Sequence, residues 1–261
     1  MAIDIERLCG ILREAAQQEI MPRFRRLDEG MVRQKSEAID LVTEADEGAE
    51  RQIKAGVAGL APEALFVGEE AVARRPELLD AMNEAKLAVV VDPVDGTANF
   101  AAGLPLFAVM AAVVREGETV AGVIYDPMGD DFVIAEKGSG AFQRFPDSSR
   151  DMRLTMAWPP ELGQMVGTAS PFFLPLEVRA KILGNLAKVR MVASYRCAGH
   201  EYRMAAAGHL HFMMFNKLMP WDHLAGTLIL QEAGGHVARF DGLPYLPVHR
   251  DGGLLAAGDR D

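Results

Sequence analysis

The first third of the chain changes its apolar spacing several times, and each change marks an element. Residues 4–27 place Ile5, Leu8, Ile11, Leu12, Ala15 and Ile20 near helical spacing, which predicts an amphipathic helix with one buried stripe. Residues 28–41 are mixed and polar and read as a mobile loop. Thr43-Glu44-Ala45-Asp46 fits a capping box, so a second helix is expected from Thr43 to about Gly59. Leu65-Phe66-Val67 reads as a short strand running into Gly68-Glu69-Glu70, and a helix follows Pro76. Leu87-Ala88-Val89-Val90-Val91 is apolar at every position, the pattern of a central strand covered on both faces.

Two longer strands follow, Phe107–Arg115 and Thr119–Tyr125, joined through Glu116-Gly117-Glu118, with further strands over 131–136 and 140–144. The second half alternates again: strand 165–169, helix 175–187, strand 189–193, helix 199–207, strand 210–215, helix 222–233, then strands 235–239 and 254–257. The pattern predicts an α/β fold. Pro146-Asp147-Ser148-Ser149 interrupts it without forming a linker, so two halves packed as one unit are expected, 1–148 and 149–261.

Composition narrows the function classes. The 261 residues are 49% hydrophobic and 25% charged, as in ordinary globular chains, with a net charge of -10. A surface this acidic repels a phosphate backbone and argues against nucleic-acid binding through a basic patch. Two cysteines, Cys9 and Cys197, make no disulfide framework and fit a cytoplasmic setting. Charges at Asp4, Glu6 and Arg7 interrupt any secretory core. The uncharged stretch from Gly96 to Val114 contains Asn99, Gly103 and Pro105 and reads as a loop entering a buried strand, not a membrane span.

The candidate chemistry centres on Asp92-Pro93-Val94-Asp95-Gly96-Thr97, two carboxylates just beyond a buried strand. Carboxylates and backbone carbonyls suit hard cations such as Mg²⁺. A helix starting at Gly96-Thr97 would point free N–H groups at an anion beside those cations, the arrangement that phosphoryl transfer to water requires. The alternative is a strand-end turn with solvated aspartates. Glu69 and Glu70 also follow a strand and can reach the same sheet edge, or start a solvated helix. Asp222 and Asp46 each have a sufficient local role as helix caps. His209 and His211 form an isolated pair, His223 belongs to the helix after Asp222, and Met213, Met214 and Met219 read as core. No Walker A, Gly-x-Gly-x-x-Gly or Gly-x-Ser-x-Gly motif occurs. The spacing of Asp92 and Asp95 also differs from the Asp-x-Asp of phosphatases that form a phospho-enzyme.

Together these segments resemble the inositol monophosphatase family of Mg²⁺-dependent, lithium-sensitive phosphatases. The matching blocks are Lys35-Ser36 through Asp40-Leu41-Val42-Thr43-Glu44-Ala45-Asp46, Gly68-Glu69-Glu70, Asp92 to Thr97 with Asn99-Phe100, and Trp221-Asp222 with Ala225-Gly226 and Glu232-Ala233-Gly234-Gly235. Lys137-Gly138-Ser139-Gly140-Ala141-Phe142 resembles the family's Gly-rich turn. The resemblance implies an α-β-α-β-α layered sandwich, two to three Mg²⁺ ions, a phosphate monoester substrate and a homodimer. It implies that Glu69, Asp92 and the Val94 carbonyl hold one metal, and that Asp92, Asp95 and Asp222 hold a second. Glu69 would help with a third ion, and Glu70 would stand behind these ligands. Asp46 and Thr97 would orient or deprotonate the attacking water, while Gly96 and Thr97 N–H groups, with Asp95, Gly199 and His200, would contact the substrate. Direct in-line hydrolysis is implied.

The resemblance weakens around Arg196-Cys197-Ala198-Gly199-His200-Glu201-Tyr202, where His200 and Glu201 replace small residues of the family. Inositol phosphatases carry an acidic residue seven before the Trp-Asp aspartate; here that position is Phe215, followed by Asn216-Lys217. Histidinol phosphate, fructose 1,6-bisphosphate or another sugar phosphate are therefore alternative substrates. A regulatory binding protein, a role some bacterial relatives have, is the non-enzymatic alternative.

Overall fold

The computed structural model describes residues 3–28, 30, 32–34, 41–148 and 150–260. Helix α1 (Ile5–Ala15) buries Ile5, Leu8, Cys9, Leu12 and Ala15 along one stripe, and its N-cap Asp4 accepts a hydrogen bond from the Arg7 N–H. A π turn over Ala16–Ile20 and a 3-10 turn over Met21–Arg23 extend it. The segment expected to be a loop is partly strand: β1 (Val32–Gln34) pairs antiparallel with β2 (Leu41–Thr43). Strands of three polar or mixed residues carry no legible alternation, which is why the sequence pattern missed them. The motif residues Lys35, Ser36 and Asp40 lie outside the described residues.

Helix α2 (Glu44–Leu60) starts at the expected capping box, with Thr43 as N-cap and Asp46 answering it. It lies against α1. Strand β3 (Leu65–Gly68), helices α3 (Glu69–Arg74) and α4 (Leu78–Glu84), strand β4 (Leu87–Asp95) and the short helix α5 (Thr97–Ala101) complete the first crossover and its exit. Strands β5 (Ala108–Arg115), β6 (Glu118–Asp126), β7 (Asp131–Glu136), β8 (Gly140–Arg144) and β9 (Met152–Arg153) then run antiparallel, giving a seven-stranded sheet in the order β3-β4-β5-β6-β7-β8-β9. Only β3 and β4 are parallel in it. The chain leaves this sheet after Arg153, just past the proline-marked break.

A second sheet has five strands in the order β11-β10-β12-β14-β13: β10 (Val166–Ala169), β11 (Met191–Ala193), β12 (Phe212–Phe215), β13 (His236–Arg239) and β14 (Leu254–Ala257). Helix α6 (Leu176–Leu186) connects β10 to β11, and α7 (Ala198–Ala206) connects β11 to β12. These two crossovers run in opposite directions across parallel strands, so right-handed connection places α6 and α7 on opposite faces. Helix α8 (Pro220–Glu232) is apolar nearly all round because it is buried between the sheets, touching β5, β6 and β7 on one side and β13 on the other. The layers are thus α1/α2, seven-stranded sheet, α7/α8, five-stranded sheet and α6, an α-β-α-β-α sandwich.

Two cores follow from this layering. Leu8, Leu12, Ile53, Val89, Val91, Val94 and Tyr125 fill the space beneath α1 and α2. Val90, Met110, Ile124, Met213, Tyr202, Leu228, Ile229 and Leu254 fill the central layer. Alternate residues of β4 thus serve different cores, which explains its unbroken apolar run.

Helix α8 approaches the sheet so closely that a Cβ built on Gly122 would stand 2.7 Å from the Ala225 carbonyl oxygen and 2.9 Å from its Cα. Backbone cannot yield as a side chain can, so Gly122→Ala should destabilise the protein by about 1–3 kcal/mol. Gly59, exposed near the end of α2 with nothing within 4 Å of a Cβ, is the control, and Gly59→Ala should stabilise by about 0.4–1 kcal/mol. Urea unfolding of the two variants checks both signs.

Candidate active site

The site forms where β3 and β4, parallel neighbours, deliver their carboxyl ends to one edge of the large sheet. Glu69 follows β3 immediately as the first residue of α3. Asp92 and Asp95 belong to β4, and simple alternation would send residues three apart to opposite faces. A register shift prevents this. Asp92 pairs with Met110 and Asp95 with Ala108, so three steps on β4 face two on β5. The bulge brings Asp95 back to the side of Asp92. Asp222 enters from the first turn of α8. Carboxylate oxygens of Asp92, Asp95 and Asp222 all lie within 4.8 Å of one another, spacing that can hold a metal ion.

Three more features lock the strand exit. The Val94 N–H donates to Asp92 Oδ1 at 3.0 Å. Gly96 takes φ 86°, and a Cβ there would meet the Leu106 carbonyl at 2.9 Å and Cys197 Cβ at 3.1 Å, so both the turn and the close approach require glycine. The Thr97 hydroxyl donates toward the Val94 carbonyl at 2.9 Å and Asp46 Oδ1 at 3.1 Å. Asp46 thereby has both roles between which its sequence left a choice. Its Oδ2 accepts from the Thr43 N–H at 2.8 Å and the Thr43 hydroxyl at 2.5 Å, while Oδ1 turns to Thr97.

Asp95 is held from the second half of the chain. The N–H groups of Ala198 and Gly199, at the start of α7, donate to its Oδ1 at 3.1 Å and Oδ2 at 2.6 Å. The Cys197 thiol donates to Oδ2 at 2.9 Å. Oδ2 thus has two donors and Oδ1 one, which leaves Oδ1 with lone-pair capacity for a cation. Cys197 and Ala198 had no signal as site residues in the sequence; only a tertiary approach reveals them. Asn99 Nδ2 spans the same seam, donating to the carbonyls of Leu106 at 2.9 Å and Tyr195 at 2.7 Å.

The carboxylates raise one another's proton affinity. Asp92 is pushed well above the usual range by burial and then by Glu69, Asp95 and Asp222. Asp222 is raised to about 8, by burial, Glu69 and Asp95, against the pull of Lys217. Burial raises Asp46 to about 7 against its Thr43 hydrogen bonds. Burial also raises Asp95, opposed by Cys197, Gly199 and Ala198. Such a cluster is costly without cations and is therefore suited to binding them.

A cavity of about 520 Å³ opens above the cluster, lined by Glu69, Asp95, Gly96, Thr97 and Asp222 at its acidic end. Phe172, Phe173 and Phe215 form apolar wall, and Arg196 and Lys217 bring positive charge. Of the two residues that replace small ones, Glu201 lines this cavity and His200 does not. His200 Nε2 instead meets the Phe107 carbonyl at 3.2 Å. The Gly199 N–H is likewise committed to Asp95. Glu70 is buried. His209 and His211 lie before β12, with His211 Nδ1 accepting from the Val166 N–H at 3.0 Å, and His223 is buried against the Tyr202 hydroxyl at 3.0 Å. Among the described residues no helix is long and apolar enough to cross a membrane.

Fold and site define a layered α/β protein with a cation-ready carboxylate cluster at the floor of a cleft. Known proteins sharpen that class: the inositol monophosphatase family model matches residues 5–260, and the chain belongs to this family. Membership supports a phosphatase. An inositol-1-monophosphatase of Mesorhizobium japonicum is 35% identical over 212 residues, covering 78% of this chain and 73% of the relative. A fructose-1,6-bisphosphatase/inositol-1-monophosphatase of Thermotoga maritima is 30% identical over 204 residues, with the same coverage of 78% and 73%. A protein named Nus factor SuhB, from Haemophilus influenzae, is 32% identical over 231 residues, covering 85% and 79%. Among solved structures, a Thermotoga maritima IMPase superposes with TM-score 0.80 at 26% identity, covering 97% of this chain and 91% of that one.

Asp222 offers a direct test of the electrostatics. Its folded pKa is raised, so in the absence of divalent cations the ionised carboxylate costs stability above about pH 8, and the cost fades as pH falls and the group takes up its proton. Asp222→Asn should therefore raise Tm in a chelator most at pH 8.5 and progressively less toward pH 6. A gain that grows as the pH falls would contradict this assignment.

Proposed function

We propose that this chain is a Mg²⁺-dependent phosphomonoesterase that hydrolyses a small phosphorylated alcohol by direct attack of water. The observation that carries the reading is the convergence of Asp92, Asp95 and Asp222 within 4.8 Å, beside a cavity lined by Asp95, Asp222 and Thr97. Glu69, Asp92 and the Val94 carbonyl would hold one ion, Asp92, Asp95 and Asp222 a second, and Glu69 would assist a third. Bound Mg²⁺ would acidify a water and offset charge on the phosphate and the leaving oxygen.

The chain's own residues supply the rest. Asp46 Oδ1 holds the Thr97 hydroxyl by accepting its proton. That leaves the oxygen's lone pairs to accept from water, and the Asp46 carboxylate to take the proton onward. Its pKa of about 7 places it where a general base works at neutral pH. The Gly96 and Thr97 N–H groups would orient the phosphate. Because Gly199 is spent on Asp95 and His200 points elsewhere, we assign neither to the phosphate.

For the alcohol, Phe215 lines the cavity where inositol phosphatases, by family resemblance, have a carboxylate, which favours a sugar phosphate, histidinol phosphate or a bisphosphate over inositol 1-phosphate. A regulatory binding role, suggested by relatives named Nus factor SuhB, requires no such cluster of carboxylates. The proposal includes a cytoplasmic homodimer, on resemblance alone.

Hydrolysis of p-nitrophenyl phosphate and of a phosphomonoester panel, with and without Mg²⁺, tests the reading. Metal-dependent phosphate release is expected; none with any ester would leave only the binding role. Asp95→Asn and Asp222→Asn should abolish turnover with unchanged circular dichroism. Thr97→Ala should lower kcat by about 10²–10⁴-fold, the worth of a positioned proton acceptor.

A further inference from the structure

Glu201 lies on α7, two residues beyond the Gly199 that grips Asp95, and lines the cavity while being only 1% exposed. Its Oε1 accepts from the Tyr195 N–H at 2.8 Å. Its Oε2 is buried with no hydrogen-bond partner, and neither has the buried Thr168 hydroxyl. The Thr168 hydroxyl and the Arg196 N–H stand near enough to favour the charged carboxylate, yet Oε2 has no hydrogen bond within normal limits.

A buried carboxylate oxygen without a donor is expensive, and native chains keep few of them. The fold does not need this one. Capping the Tyr195 N–H takes a single acceptor, which an amide would supply. Among the described residues that line the cavity, Glu201 is the only acidic one apart from Glu69, Asp95 and Asp222 of the acidic cluster. The remaining wall offers aromatic rings, Ser170, Ser194 and Asn216, and the cations Arg196 and Lys217. The wall beside the phosphate therefore holds one carboxyl with a buried oxygen that no donor satisfies, and it lies on α7, not on β12.

We propose that Glu201 selects the alcohol: its Oε2 accepts a hydrogen bond from a hydroxyl or ammonium group of the substrate. Glu201 is a specificity residue of the phosphatase reading given above and takes no part in bond cleavage. The substrates it favours are polyol or amino-alcohol phosphates with a donor close to the ester. Esters without such a donor leave Oε2 unpaired and bind less well.

The decisive variant is Glu201→Gln, which retains an acceptor for Tyr195 and gives Thr168 a donor. Three esters serve as probes: inositol 1-phosphate for hydroxyl, phosphoethanolamine for ammonium and p-nitrophenyl phosphate for neither. The preferred donor-bearing ester should lose 10- to 100-fold in kcat/KM relative to p-nitrophenyl phosphate, with the loss in KM, and the probe that loses most identifies the donor. Without ligand, the variant should have a higher Tm than the parent. A thermal-shift titration reads the same selectivity as binding. If the parent hydrolyses nothing, the phosphatase reading fails while Glu201 is still tested by that titration. An unchanged ratio between esters, in turnover and in binding, would overturn the proposal.

Discussion

One carboxylate ties the molecule's two halves to its chemistry. Asp95 ends β4 of the large sheet, and the first turn of α7, from the other half of the chain, closes on it through Ala198, Gly199 and Cys197. Positive charge at a helix N-terminus stabilises an ionised carboxylate, and charge-assisted N–H bonds are the stronger kind. Much follows from this contact. It fixes the phase of α7, so Glu201 faces the cavity and His200 turns to the Phe107 carbonyl. It brings the Tyr195 carbonyl to Asn99 and Cys197 against Gly96. It also leaves Oδ1 of Asp95 as the oxygen with room for a cation.

The cluster around it is a balance of opposed terms. Asp92, Asp95, Asp222 and Glu69 share a small volume, and burial weakens the screening that would make this tolerable. The protein offsets part of the repulsion, with the α7 donors on Asp95, the Val94 N–H on Asp92 and the charge of Lys217 near Asp222. Repulsion of this kind suits the cluster to divalent cations, which would offset the remaining charge. The net charge of -10 thus has a local component that bound ions would offset.

Much of this was legible in the sequence, for identifiable reasons. The apolar run of β4 and the helical stripe of α1 follow periodicities that tertiary structure does not override. The Asp92–Thr97 block and Asp222 were readable because carboxylates, glycine and threonine at fixed positions have few other joint uses. Asp46 was ambiguous, and the structure shows why: one oxygen caps a helix and the other holds Thr97. The bulge that aligns Asp92 with Asp95 was not readable, since it is a property of pairing with β5. Nor was the α7 grip, which depends on two segments about a hundred residues apart. Without that contact, the phase of α7 was open, and His200 and Glu201 could not be told apart.

The central claim is that these carboxylates form a metal centre. Crystals grown with Mn²⁺ in place of Mg²⁺, measured for anomalous scattering, test it most directly. A strong peak bounded by Asp92, Asp95 and Asp222 is expected, with a second beside Glu69, Asp92 and the Val94 carbonyl. A cavity without anomalous peaks at saturating Mn²⁺, with the three aspartates in place, would contradict it.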